Sequence, residues 1–191
     1  ICVCTHCHPD HVGAAKLFDS AFCSHLDWPA RADFALNRDQ RLNDLTAFAS
    51  GSLETIEYGR SHMMDNKDTV FEDIKDGDIF DLGSVYIKAI ALPGHSAGSM
   101  VLYNEAERYA FTGDSINTDV HLKKLNHEGL ARYKSALERF RDMVGHDVVL
   151  HPAHLPFAMT MDVVDNLISG CKEILTGRIE EDPPGETIFT E

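Results

Sequence analysis

The feature that most constrains this chain is a cluster of metal-ligand side chains near its first residue. His6, His8, Asp10 and His11 fall within six residues, directly after the apolar run at residues 1–5. His6 and His8 are two residues apart in a predicted turn, so their side chains can project to one side. Asp10 and His11 stand at the entry to a predicted helix and can converge on a second point nearby. Because imidazole and carboxylate suit zinc-like ions, the run predicts a metal centre.

Three later positions share one context, the loop that follows a predicted strand. His95, Asp114 and His154 each stand beside or close to a Gly or Ala in such a loop. There the backbone can pack tightly and a side chain can be presented at the end of the sheet. We therefore predict that these residues join the metal centre. His151 competes with His154 for the last position.

Hydrophobic periodicity divides the rest of the chain into strands and helices. Strands are predicted at residues 1–5, 21–25, 79–80, 85–92, 100–103, 109–111 and 148–150, with a hairpin joining the fifth and sixth. Helices are predicted at residues 12–21, 128–144 and 161–175, with a broken helical pattern at 27–50 and an aperiodic loop or insertion at 51–70. This order favours sheets covered by helices on the outside, with residues 27–75 as an insertion over the site.

Composition narrows the classes of function. A chain of 191 residues fits one domain, and its formal charge of −14 argues against a surface that follows a nucleic-acid backbone. No apolar run reaches the roughly 18 residues of a membrane span. The five cysteines are an odd number, and the spacing of Cys2, Cys4 and Cys7 disfavours a disulfide among them. Reduced thiols, and with them a cytoplasmic location, are the expectation.

These stretches together resemble the metallo-β-lactamase superfamily, through the elements THCHPDH, PGHSAGS, FTGD and HPAH. The resemblance implies an α+β fold, an αββα sandwich formed as one domain over residues 1–191, with a dinuclear metal site at one edge. The site that it implies has His6, His8 and His95 on the first ion, Asp10, His11 and His154 on the second, and Asp114 bridging the two.

The sequence also departs from the family pattern. The family's N-terminal strands have no counterpart, so we expect a fold that lacks its first strands, and an open sheet edge that favours homo-oligomerisation. Ala153 replaces the usual Gly. Asp114 and His11 resemble the thioesterase and lactonase (glyoxalase II-like) branches more than the antibiotic-hydrolysing enzymes. His8 stands where the oxygen-reducing diiron branch has Glu, which favours zinc, with iron or manganese as alternatives.

The resemblance implies hydrolysis of a small-molecule ester, thioester or lactone. The negative charge and the lack of a long apolar run predict neither nucleic-acid nor membrane partners. Two divalent ions about 3.5–4 Å apart lower the pKa of a bridging water, and the resulting hydroxide attacks the carbonyl carbon. Asp10 is the candidate catalytic residue, because its carboxylate can orient the hydroxide or pass its proton to the leaving group.

Three alternatives stay open at this point. Residues 94–98 match the G-x-S-x-G elbow of serine hydrolases, and Ser96, Asp114 and His154 follow in the matching chain order. That elbow requires a helix after the serine, whereas a strand is predicted there. Residues 4–8 match the C-x-x-C-H pattern of haem attachment. The third alternative is a metal-binding module without catalytic activity.

Overall fold

The chain divides into two compact units, Ile1–Lys75 and Asp76–Glu191. The computed structural model describes residues 1–29, 42, 52–62, 69–122 and 125–178. Most of the broken helix predicted at residues 27–50 lies outside the described residues. The single domain over 1–191 and the insertion over 27–75 therefore stay predictions.

The first unit is built on a short pair of parallel strands. Strand β1, Cys2–Val3, pairs with strand β2, Ala21–Phe22. Helix α1, Pro9–Val12, follows β1, and helix α2, Leu53–His62, lies later in the unit. The small core of this unit consists of thiol and apolar side chains, namely Cys4, Cys7, Val12, Ala15, Ala21, Cys23 and Phe71.

Two predictions for this unit are wrong. The helix predicted at residues 12–21 is instead α1 followed by a 3₁₀ turn at Ala15–Leu17, because Leu17 and its neighbour Phe18 are exposed and do not share a buried face with Val12. Part of the loop predicted at 51–70 is helix α2. Ile56 and Gly59 are the only buried residues of this helix, so its sequence lacks the apolar stripe from which an amphipathic helix is predicted.

The second unit contains a five-stranded sheet whose strands lie in chain order. Each of the first three pairs of neighbouring strands is antiparallel, and the pair formed by the fourth and fifth strands is parallel. The strands are β3 Ile79–Asp81, β4 Tyr86–Ala91, β5 Met100–Asn104, β6 Tyr109–Gly113 and β7 Val149–Pro152. The strands and the hairpin predicted in this part of the chain are confirmed.

Two amphipathic helices complete the core of the second unit. Helix α3 spans His127–Val144, and helix α4 spans Asp162–Leu175, as predicted. The residues of α3 at helical spacing are all buried and pack with β-strand residues into one cluster. They are Leu130, Tyr133, Leu137, Phe140 and Val144. In the parts of the chain that the structure describes, no helix is both long and apolar enough to cross a membrane.

Strand direction in this sheet determines where the loops meet. Strands β4 and β6 run the same way, because each is antiparallel to β5, and β7 is parallel to β6. The carboxyl ends of all three strands therefore lie at one end of the sheet. His95 follows β4, Asp114 directly follows β6, and His154 follows β7. The topology thus gathers the three predicted ligands of this unit.

Candidate metal centre

In the first unit, the predicted ligands lie on the loop after β1 and on the short helix α1. His8 has extended dihedral angles (φ −67°, ψ 151°), and Pro9 begins the helix. The fixed φ of proline favours a helix start at this position. The carbonyl oxygen of His8 accepts from the backbone N–H groups of His11 and Val12. Burial of Val12 anchors the helix, which carries Asp10 and His11.

The imidazoles of His6 and His8 lie edge to face, with 4.6 Å between centroids and 80° between ring planes. His6 Nε2 lies 3.0 Å from His8 Nδ1, and the other ring nitrogen of His6 lies 3.2 Å from Thr5 Oγ1. His6 is 1% exposed. Two ligands on a tetrahedral ion, each about 2 Å from it, would be separated by roughly 3.3 Å. The pair therefore has the spacing of neighbouring ligands on one ion.

Asp10 and His11 form a second pair. Asp10 Oδ2 lies 3.4 Å from His11 Nε2, and the two side chains are 55% and 12% exposed, respectively. The rings of His6 and His11 lie 4.0 Å apart between centroids. The four side chains of the run are thus close together within the first unit.

The thiols around this loop are buried and reduced. Cys7 separates His6 from His8 in the sequence, and its Sγ atom lies 3.0 Å from Cys23 Sγ. The hydrogen bond with Cys7 and burial both raise the pKa of the Cys23 thiol, and burial raises the pKa of the Cys4 thiol. All five cysteines of the chain are free thiols. Because a raised pKa keeps the thiol form, Cys23 and Cys4 behave as core side chains rather than nucleophiles.

In the second unit, the loop after β4 presents His95. A Cβ atom on Gly94 would overlap the ring of Tyr133, so this position requires glycine. The hydroxyl group of Tyr133 donates to the carbonyl oxygen of Ser115 at 2.8 Å. His95 Nδ1 lies 3.0 Å from the carbonyl oxygen of His121, to which it can donate. That bond leaves the Nε2 lone pair of His95 for a metal ion, which is the usual arrangement around metal-bound histidine.

Asp114 lies between two histidines. Its Oδ2 atom is 3.4 Å from His95 Nε2, and its Oδ1 atom is 3.5 Å from His154 Nε2. The Asp114 side chain is 15% exposed. Each carboxylate oxygen therefore has its own imidazole close to the spacing of two ligands on one ion.

The loop that carries His154 is tied to the loop that carries Asp114. The Ala153 N–H group donates to the Gly113 carbonyl oxygen at 3.0 Å, and Asn117 Nδ2 donates to the Ala153 carbonyl oxygen at 3.0 Å. His154 has a positive φ of 64°, a conformation that favours glycine. The two bonds on Ala153 hold the backbone next to this strained residue.

His151 lies in different surroundings. It belongs to β7, and its ring lies 5.7 Å from the ring of Phe111 and 6.2 Å from that of Tyr109, between centroids. Of the two histidines that compete for the last ligand position, His154 is therefore the one that lies beside Asp114.

A cavity of about 220 Å³ opens at the end of the sheet in the second unit. Its lining includes all three of the unit's predicted ligands together with further polar side chains of the loop after β6. The lining residues are His95, Asp114, Asn117, Thr118, Asp119, His121, His154 and Leu155.

The serine of the alternative elbow lies outside this lining. Ser96 Oγ is 2.7 Å from Ser99 Oγ, and β5 rather than a helix begins at Met100.

The donor set fits metal ions in both units. Every predicted ligand can offer one ring nitrogen or carboxylate oxygen to an ion. Sequence reasoning did not single out Asn117 or His121. The Asn117 side chain donates to the carbonyl oxygen of Ala153, 36 residues away, and the carbonyl oxygen of His121 pairs with the His95 ring, 26 residues away. Bonds over such separations leave no local pattern in the sequence.

The fold and these groupings define an α+β protein that carries histidine and aspartate sets suited to metal ions. A family model for the metallo-β-lactamase superfamily matches residues 3–154. The chain therefore belongs to the metallo-β-lactamase superfamily, as the sequence motifs indicated.

Among curated proteins, the chain is similar to the human acyl-coenzyme A thioesterase MBLAC2. The two are 26% identical over 152 residues, which is 78% of this chain and 53% of that protein. The bovine acyl-coenzyme A thioesterase MBLAC2 is 24% identical over the same shares of both chains. The chain thus spans about half the length of the curated relatives it matches.

Solved structures share the fold. A metallo-β-lactamase family protein of Thermus thermophilus, TTHA1429, superposes with a TM-score of 0.62 at 19% identity, over 92% of this chain and 61% of that one. TTHA1623, solved in a di-iron-bound form, superposes with a TM-score of 0.58 at 19% identity, over 86% of this chain and 74% of that one. The α+β class predicted from the sequence is confirmed.

Proposed function

We propose that this chain forms the metal-binding part of a dinuclear hydrolase that cleaves an ester bond, with acyl thioesters favoured over simple esters and lactones. The observation that carries the proposal is the position of Asp114 between His95 and His154, with one carboxylate oxygen facing each imidazole. An aspartate shared by two histidines in this way is suited to bridging a pair of ions.

The assignment of ligands follows the family pattern residue by residue. Pairing within the first unit supports it, since His6 lies against His8 and Asp10 lies against His11. We propose that the first pair serves one ion and the second pair serves the other. The second unit contributes His95 to the first ion, His154 to the second and Asp114 to both.

Two divalent ions bound by these residues would supply hydroxide near neutral pH and stabilise the oxyanion that develops on the substrate carbonyl. The protein side chains have separate tasks. The bond from His95 Nδ1 to the His121 carbonyl fixes the ring and its tautomer. The carboxylate of Asp10, 55% exposed, can accept the proton of the attacking water and return it to the leaving thiol or alcohol.

Zinc is the metal we propose. Five neutral imidazoles and two carboxylates make a donor set of borderline hardness, which suits zinc. Iron is the alternative that the di-iron-bound form of TTHA1623 suggests. Manganese is less favoured, because it prefers oxygen ligands and most of these ligands are nitrogen atoms. Total metal analysis of the purified chain separates these cases directly.

The thioester preference rests on the relatives, which are named acyl-coenzyme A thioesterases. Because this chain spans about half of their length, the preference among thioesters, the partners and the state of assembly all belong to the proposal. A small-molecule substrate is consistent with the formal charge of −14, which disfavours nucleic acid. Homo-oligomerisation and a cytoplasmic location remain expectations from the sequence.

The test is hydrolysis of acyl-coenzyme A, simple ester and lactone substrates by the purified chain, before and after treatment with EDTA. We expect activity to be lost in EDTA and restored by zinc. Asp114→Ala should lower the metal content from about two ions per chain and reduce kcat/KM at least about 100-fold, beyond the loss typical of residues that only support ligands. Asp142→Ala, which removes an exposed carboxylate from α3, is the matched control.

Other outcomes identify the alternatives. Activity that survives EDTA and is lost in Ser96→Ala would support a serine hydrolase and contradict the proposal. Two bound ions without turnover on any substrate would identify a metal-binding module. A chain that binds no metal, and whose behaviour is unchanged in Asp114→Ala, would overturn the metal site itself.

A further inference from the structure

Asp27 is a buried carboxylate that the proposed reaction does not use. It is 2% exposed and ends the 3₁₀ turn at His25–Asp27 in the first unit. Burying a carboxylate costs free energy unless hydrogen bonds compensate for the lost water. One compensating donor is the backbone N–H group of Cys7, whose nitrogen lies 3.1 Å from Asp27 Oδ2.

The position of that donor gives the bond its importance. Cys7 stands between His6 and His8, in the loop that joins β1 to α1, where the backbone is in neither helix nor strand. Its side chain is held as well, since Cys7 Sγ lies 3.0 Å from Cys23 Sγ in the core of the unit. Fixing the Cys7 peptide fixes the points from which both imidazoles leave the backbone.

We propose that Asp27 is a positioning residue that orders the His6–Cys7–His8 loop before an ion binds. The inference rests on the proposed metal site. A ligand loop that is ordered in advance loses less conformational entropy on binding, so the ion binds more tightly.

The contact contributes to stability as well as to position. Removing the carboxylate would leave the buried Cys7 N–H group without this acceptor, which lowers the free energy of unfolding. The partner of Asp27 is 20 residues away and lies within the ligand run itself. The carboxylate therefore acts through the loop that carries the ligands.

The experiment compares zinc affinities of the chain and three variants by competition with a chromophoric chelator. Asp27→Ala removes the acceptor, and we expect its zinc affinity to fall about 10- to 100-fold, as for other residues that support metal ligands. Asp27→Asn keeps an acceptor oxygen of the same size, so it should stay within a few-fold of the original chain. Asp19→Ala, which removes an exposed carboxylate of the same unit, should leave the affinity unchanged.

A spectroscopic readout separates positioning from folding. Cobalt bound in place of zinc should give an altered visible spectrum in Asp27→Ala and a spectrum like the original in Asp27→Asn. If Asp27→Ala binds zinc as tightly as the original chain, or if folded Asp27→Asn loses as much affinity as Asp27→Ala, the inference is wrong.

Hydrogen exchange tests the contact even if Asp27→Ala does not fold. In the metal-free original chain and in Asp27→Asn, the Cys7 amide should be protected, and exchange at the rate of an exposed amide would overturn the inference. If the original chain binds no zinc while its Cys7 amide is protected, the proposed function has failed and the loop contact has not.

Discussion

The side-chain amide of Asn117 donates a hydrogen bond to the carbonyl oxygen of Ala153, with 3.0 Å between nitrogen and oxygen. Asn117 follows β6 and Ala153 follows β7, so this bond joins the loop of Asp114 to the loop of His154. The Asn117 side chain is buried, and its own oxygen accepts from the backbone N–H group of Thr118 at 2.7 Å.

We expect Asn117→Ala to weaken metal binding about 10- to 100-fold, because the backbone beside His154 loses its restraint. The measurement is zinc affinity by chelator competition. Asn166→Ala is the matched control, since Asn166 is exposed on α4 and does not line the cavity. Equal affinities for the two variants would show that the Asn117–Ala153 bond does not position the ligand loop.

The two late histidines should behave differently on substitution. His154→Ala should lower the metal content of the purified chain, because His154 lies 3.5 Å from Asp114. His151→Ala should leave the metal content unchanged, because its ring lies beside Phe111 and Tyr109. Metal analysis of both variants decides the question, and loss of metal only in His151→Ala would reverse the assignment.

Gly94→Ala should destabilise the second unit by about 1–3 kcal/mol, because the new methyl group would overlap the Tyr133 ring in a packed region. Chemical denaturation measures the change. Gly170→Ala is a suitable comparison, since a Cβ there meets nothing within 4 Å and the site lies within helix α4. Equal or greater stability of Gly94→Ala would contradict the close contact.

Acid should weaken the contact between Asp76 and Arg139. Partial burial alone would raise the pKa of Asp76, but hydrogen bonds from the Arg139 side chain and the Ala91 N–H group hold that pKa below its ordinary value. The ionised carboxylate therefore stabilises the fold above about pH 4 and loses this effect as the pH falls through the lowered pKa.

Asp76→Asn tests this pH dependence. The difference in thermal midpoint between the original chain and Asp76→Asn should be largest near neutral pH and should shrink below about pH 4. Asp142→Asn, on the exposed surface of α3, is the control. A difference that does not change between pH 7 and pH 3 would contradict the assigned direction of the pKa.

The sequence predicted the second unit well for physical reasons. In α3, five residues at helical spacing are all buried, so the pattern in the sequence reports the packing directly; they are Leu130, Tyr133, Leu137, Phe140 and Val144. Strand β5 is buried at every position, so a short apolar run rather than an alternation marks it in the sequence. In the first unit, Leu17 and Phe18 are apolar yet exposed. The periodicity that predicted a helix there does not correspond to a buried face.

The candidate ligands could be identified because chemistry and context coincide in each of them. His95, Asp114 and His154 all follow strands that run in one direction, and the sequence shows each strand end. Asn117 and Asp27 could not be identified in the same way. Each bonds to a backbone group far along the chain, and that proximity exists only after folding.

The direction of the strands also places the predicted ligands of this unit at one end of the sheet and leaves the turn between β3 and β4 at the other. Leu82, Gly83 and Ser84 are exposed in that turn. Insertions are best tolerated at exposed turns of this kind. A tether built into this turn would fix the protein to a resin or sensor surface with the ligand-bearing loops of the unit directed toward the flowing solution.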